Sequence, residues 1–126
     1  MGYAYDDQNI FARILRGEIP GKTVAESQHA LAFEDIAPQA PVHVLVIPKG
    51  HYVNADHFAA AASDAEIADF TRLVGRVCDQ LGVSPGGGGG GYRTIANSGD
   101  AGIQEVQHYH LHILGGRLLG RMLPGT

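Results

Sequence analysis

Apolar positions change period along this chain, and the change predicts its elements. Ile10, Phe11, Ile14 and Leu15 recur at helical spacing and Gly17 follows as a stop, predicting a short helix from about Asp7 to Arg16. Pro20-Gly21 reads as a turn, after which Thr23–Glu26 and Ala30–Phe33 read as two short strands of a meander. The stretch from Asp35 to Pro41 contains two prolines, which cannot donate to a ladder, so it is expected to be a loop. Val42-His43-Val44-Leu45-Val46-Ile47 is a strand of strong β-propensity, ended by Pro48. The longest element is predicted over Ser63–Leu81. Ser63 and Glu66 have capping-box spacing, and Ile67, Phe70, Val74, Val77, Cys78 and Leu81 make one stripe for a sheet. Tyr92–Asn97 and His108–Leu114 are predicted strands, the second closed by Gly115-Gly116. Between helix and strand lie Pro85 and six glycines, Gly86–Gly91. A phosphate loop needs a Gly-Lys-Ser/Thr ending, whereas this run ends in Tyr92-Arg93, so a flexible connector is expected.

Composition narrows the class. The 126 residues show no internal repeat and suit one domain. A net charge of −4 argues against binding a nucleic-acid backbone, though one phosphate needs only a local donor site. Cys78 is the one cysteine, so no internal disulfide forms and a reducing compartment, the cytoplasm, is expected. No apolar run is long enough to span a bilayer, and the acidic start is not that of a signal peptide, so no membrane partner is expected.

The chemistry lies in His108-Tyr109-His110-Leu111-His112. With seven histidines in 126 residues, chance produces about 0.02 such triplets, which favours a selected feature. In a strand His108, His110 and His112 line one face, while Tyr109, Leu111 and Ile113 line the other and pack on the long helix. Three imidazoles are costly to bury unless each has a partner. Two uses fit. One is a metal site, with His43 or Glu105 as a further ligand. The other is phosphate chemistry, in which a neutral imidazole attacks beside a proton donor. The residues of the triplet alone leave both open.

Four blocks then carry a resemblance. The triplet with Ile113-Leu114-Gly115-Gly116-Arg117, the opening Ile10–Pro20, the stretch Ala32–His43 and the tail Leu118–Leu123 together resemble the Hint branch of the histidine triad (HIT) superfamily over nearly the whole chain. The resemblance implies an α+β fold: a central antiparallel sheet, one long and one short helix, and a homodimer across which the sheet continues. The expected domain is 1–126, with a core of about 8–117 and a tail 118–126. It implies purine nucleoside monophosphates and their phosphoramidates, such as adenosine phosphoramidate or lysyl-AMP, as ligands, with no cofactor and no metal. By the same resemblance Phe11, Ile14, Ile19, Phe33 and Leu45 wall the base, and Asp35 takes the ribose hydroxyls with Ile36 beside it. Asn97, His110 and His112 meet the phosphate, Gln104 and Glu105 belong to the phosphate loop, and His43 and His108 sit behind the nucleophile. One departure is Ile103, which stands where the family has a glycine before Gln104, so the local loop is expected to differ.

The reading that follows is a hydrolase acting through a covalent nucleotidyl-His110, with His112 holding the phosphate and passing a proton. A nucleotide-binding regulatory protein without catalysis and a dinucleoside polyphosphate hydrolase are its alternatives.

Overall fold

The computed structural model describes residues 2–124, so the outermost ends of the expected domain and tail lie outside the described residues. The order is α1 (Ile10–Leu15), β1 (Thr23–Glu26), β2 (Ala30–Glu34), β3 (Val42–Pro48), α2 (Ala55–Ala61), α3 (Asp64–Gln80), a 3₁₀ turn (Pro85–Gly87), β4 (Tyr92–Ile95) and β5 (Leu111–Gly115). The strands form one antiparallel sheet in the order β1-β2-β3-β5-β4, an α+β architecture.

Register decides what each face carries. Val44 pairs with Ile113 and Ala32 with Val46, and these residues share a buried cluster with Phe70, Leu73 and Val77 of α3. The opposite face carries Leu31, Phe33, Leu45 and Ile47, closed over by Phe11 of α1. Leu45 pairs with His112, so the same pleat that sends Val44 and Ile113 to the helix sends His43, Leu45 and His112 to the α1 face. Leu73 and Val77 are wholly buried, and truncating such a residue to Ala costs about 2–5 kcal/mol for Leu and less for Val.

The capping box forms as its spacing predicts: the Ser63 hydroxyl accepts the Glu66 amide at 3.1 Å, and Glu66 Oε1 accepts the Ser63 amide at 3.0 Å. Other boundaries differ. Helix α1 starts at Ile10 and not Asp7, because Asn9 caps it by accepting the Ala12 amide at 2.9 Å. Helix α2 is absent from the periodicity. Its one buried residue is Phe58, too little for a stripe, and its start is set by Asn54, which accepts the His57 amide at 3.1 Å.

The glycine run is a shaped turn and not a free linker. A Cβ at Gly89 would run into the Gly82 carbonyl oxygen and the Val83 backbone, so the chain passes there because the side chain is missing. The Gly91 amide donates to the Val83 carbonyl at 2.9 Å. The last strand is shorter than expected. Its ladder begins at Leu111, since the Pro48 carbonyl opposite accepts the His108 ring and the His108 carbonyl accepts the His110 ring. Among the described residues no helix is long and apolar enough to cross a membrane.

Candidate active site

The histidines gather where β3 and β5 lie side by side under α1. His108 is wholly buried, His43 and His110 are nearly so, and His112 is half-buried. Tyr109 points the other way, stacked on Phe70 at 5.1 Å, so the alternation extends past the end of the ladder.

Each ring has partners that fix its protons. Nδ1 of His110 lies 2.7 Å from the His108 carbonyl oxygen. A carbonyl only accepts, so Nδ1 carries the hydrogen and Nε2 keeps its lone pair. The ring edge meets Phe11 at a centroid distance of 4.9 Å. His43 is fixed from the other side: its Nδ1 accepts the Gln39 amide at 3.0 Å, which leaves the proton on Nε2. That Nε2 lies 2.9 Å from His112 Nδ1 and 3.3 Å from Asp35 Oδ2. His112 therefore accepts at Nδ1 and offers an Nε2–H. His108 donates from Nε2 to the Pro48 carbonyl at 2.8 Å, and its Nδ1 accepts the Tyr5 hydroxyl at 2.5 Å.

Burial keeps these imidazoles neutral. Desolvation pushes His110 below its ordinary value, with Asp35 and Glu105 pulling the other way. It lowers His112 to about 4, helped by repulsion from His110 and His43. His108 is likewise lowered to about 4 by burial, and His43 is lowered by burial against the pull of Asp35.

The family model described as HIT domain matches residues 16–119. The chain belongs to the HIT family. A 13.2 kDa HIT-like protein of Azospirillum brasilense is 54% identical over 123 residues, covering 98% of each chain. The purine nucleoside phosphoramidase of Escherichia coli (strain K12) is 38% identical over 117 residues, covering 93% of this chain and 94% of its own. A solved HIT family hydrolase from Clostridium thermocellum superposes with a TM-score of 0.79 at 34% identity, covering 94% of this chain and 99% of its own.

In this HIT protein the residues named from sequence are brought together unevenly. Phe11, Phe33 and Leu45 form one buried cluster, with Ile14 packed against it. Ile14 and Ile19 also line an open cleft of about 670 Å³ beside α1, with Leu15, Leu31 and Lys49. Asp35 stands at the head of the loop after β2, where its Oδ1 accepts the Ala37 amide at 2.8 Å. Ile36 beside it is fully exposed. His43 lies against His112: its register in β3 sets it opposite Leu114, and its Nδ1 accepts the Gln39 amide while its Nε2 faces His112. Asn97 is half-buried just past β4, and Glu105 is exposed.

Gln104 acts on the loop itself. Its Nε2 donates to the Val53 carbonyl at 2.6 Å and the Val106 carbonyl at 3.0 Å, while its Oε1 accepts the Gly99 amide at 3.1 Å. The side chain is a strut that closes residues 99–104, not a free donor for an anion. Ile103 has φ 52°, the one positive φ outside glycine among the described residues, in a region of backbone space that favours glycine. Three partners of the site escaped the sequence reading: the Gln39 amide, the Pro48 carbonyl and the Tyr5 hydroxyl. Two are backbone groups with no side-chain signature. Tyr5 carried a faint signal, an aromatic alternating with Tyr3 ahead of the first helix.

Asp35, His43 and His112 offer ligand atoms within 4.8 Å of one another, a spacing a metal ion accepts. The surrounding hydrogen bonds do not fit one. A neutral imidazole that binds metal through Nε2 carries its proton on Nδ1 and donates it outward. Nδ1 of His43 instead receives the Gln39 amide.

Proposed function

We propose that this protein is a purine nucleoside phosphoramidate hydrolase that works by double displacement at phosphorus, with His110 as nucleophile. The observation that carries the reading is the 2.7 Å bond from His110 Nδ1 to the His108 carbonyl, which leaves Nε2 as a bare lone pair in a neutral ring. The 38% identical Escherichia coli relative, named as a purine nucleoside phosphoramidase, supports the substrate class.

In this reading the base lies against Phe11, Ile14, Ile19, Phe33 and Leu45, and Asp35 takes the ribose hydroxyls through the lone pairs that the Ala37 amide leaves free. Nε2 of His110 attacks the α-phosphorus and the phosphorus–nitrogen bond breaks. His112, whose ring centroid is 5.2 Å from that of His110, turns its Nε2–H to the phosphate oxygens, where charge builds. Asn97 is assigned to the same phosphate in this reading. The charge of the bound phosphate offsets burial and draws one proton onto the phosphate–His112 pair. That proton leaves on the amine. Water then gives its oxygen to phosphorus and a proton back to the site, releasing the nucleoside monophosphate and restoring Nε2.

Assembly as a homodimer belongs to the same reading. Among the described residues β4 is an edge strand paired with β5, and in this reading its outer edge continues the sheet in a second copy. Light scattering at micromolar concentration is expected to give twice the 13.3 kDa of one chain.

The deciding experiment compares wild type with His110→Ala on a panel of nucleoside phosphoramidates and dinucleoside polyphosphates. We expect turnover of phosphoramidates to fall by at least about 10³-fold while AMP still binds. Near-normal turnover by the variant overturns the mechanism. A wild-type preference for dinucleoside polyphosphates overturns the substrate class.

A further inference from the structure

The proposed chemistry leaves one buried histidine and one phenol without a part. The two are bonded to each other. His108 donates from Nε2 to the Pro48 carbonyl at 2.8 Å, so its Nδ1 is bare and the Tyr5 hydroxyl, at 2.5 Å, is the donor. The Tyr5 ring stacks on His51 at 4.4 Å and 10° and meets the edge of His108 at 5.6 Å. The segment that carries it is anchored a second time by Tyr3. That hydroxyl donates to Asp56 at 2.6 Å and accepts from Asn54 at 3.0 Å, and the ring stacks on His57. Two tyrosines thus strap the stretch before α1 across residues 51–57, and one of them reaches the first histidine of the triplet.

His108 touches the reaction through its backbone. Its carbonyl is the acceptor that holds Nδ1–H of His110. Resting on the reading of His110 as nucleophile, we propose that Tyr5 is a positioning residue for this reaction: its hydroxyl satisfies His108 and thereby keeps the His108 carbonyl where it holds His110 with Nε2 bare.

The physical reason is that His108 has no other way to be satisfied in place. Removing the hydroxyl leaves a bare nitrogen in a wholly buried ring. Switching the proton to Nδ1 relieves nothing, because Nε2 then faces the Pro48 carbonyl lone pair to lone pair. The ring turns or admits water, and either movement shifts the peptide that carries the carbonyl. His110 then gains access to its other tautomer, with the hydrogen on Nε2, which does not attack phosphorus.

Tyr5→Phe removes one oxygen and keeps the ring and its stack. We expect kcat for a nucleoside phosphoramidate to fall about tenfold while KM stays within about twofold, since no nucleotide contact is altered. Nitrogen-15 spectra of histidine-labelled protein without substrate give an independent readout. In wild type His110 is expected to show a protonated Nδ1 and a bare Nε2, and in Tyr5→Phe these signals move towards a tautomer mixture. Tyr3→Phe serves as control, because it loosens the strap but keeps the Tyr5 hydroxyl; it should match wild type in both measurements.

Wild-type kcat in Tyr5→Phe overturns the proposal. So does a fall in kcat that tracks only the loss of folded protein while the His110 signals stay put. Equal effects of the two substitutions overturn it as well, assigning the effect to the strap and not to the hydroxyl. Inactivity of wild type on phosphoramidates sinks the proposed function instead, and the spectra still decide whether Tyr5 governs the His110 tautomer.

Discussion

Nε2 of His43 stands 2.9 Å from Nδ1 of His112, and the bond has one direction. The Gln39 amide donates into the far side of His43, so His43 must donate and His112 must accept. His43 thereby turns the Nε2–H of His112 outward, where a phosphate would meet it. His43→Ala frees His112 to take either tautomer. We expect kcat on a phosphoramidate to fall by about ten- to a hundredfold, with KM changed less than about threefold. Steady-state kinetics check this, and an unchanged kcat removes His43 from the machinery.

The pH profile follows from the direction of the His110 shift. Burial lowers His110 below the ordinary value of 6.5, even against the charges of Asp35 and Glu105. The neutral, attacking form is complete above that value and is lost as pH falls through the lowered one. Activity as kcat/KM is therefore expected to be flat from pH 8 to about 6.5 and to fall, tenfold per unit, only below that. An acid limb centred above pH 7 contradicts a buried neutral nucleophile.

Ile103 offers a test on stability. Its φ of 52° puts a β-branched residue in the left-handed region, and its side chain is 75% exposed, so little packing is at stake. The conformation costs about 1–3 kcal/mol, and glycine removes it at an entropic cost of about 0.5–1 kcal/mol. Ile103→Gly is thus expected to stabilise the fold by up to about 2.5 kcal/mol. Urea unfolding measures it. A variant less stable than wild type shows that Ile103 packs on something that outweighs its strain.

These cases show what the residues alone could carry. The triplet, the strand Val42–Ile47 and the Ser63 capping box were legible because side-chain period and cap chemistry are written in residue types. The direction of alternation was legible too: Tyr109 and Ile113 do face the long helix. Period could not carry the joining of Phe11, Phe33 and Leu45 into one cluster from three separate segments. What stayed hidden was held by backbone. The Gln39 amide and the Pro48 and His108 carbonyls set the protons on three histidines, and every residue has an amide or a carbonyl. The shaped glycine turn was hidden for a related reason. A run of glycines looks the same whether it is free or, as at Gly89, pressed against a neighbouring backbone.

Metal dependence is the sharpest remaining division, because ligand spacing alone permits a zinc ion on Asp35, His43 and His112. The proton pattern argues against it. Binding through Nε2 of His43 would place a proton on Nδ1, head to head with the Gln39 N–H that now donates there. It would also take Nδ1 of His112 from the bond with His43, and with it the orientation of the Nε2–H. Zinc should therefore act against the reaction and never for it. Enzyme treated with a chelator and freed of it is expected to keep full turnover of a phosphoramidate. Added zinc is expected to inhibit in competition with the nucleotide, and to shift the Gln39 amide resonance as the bond into His43 breaks. Loss of activity on chelation, restored by one equivalent of zinc, would show that Asp35, His43 and His112 serve as ligands and would overturn a mechanism that runs without metal.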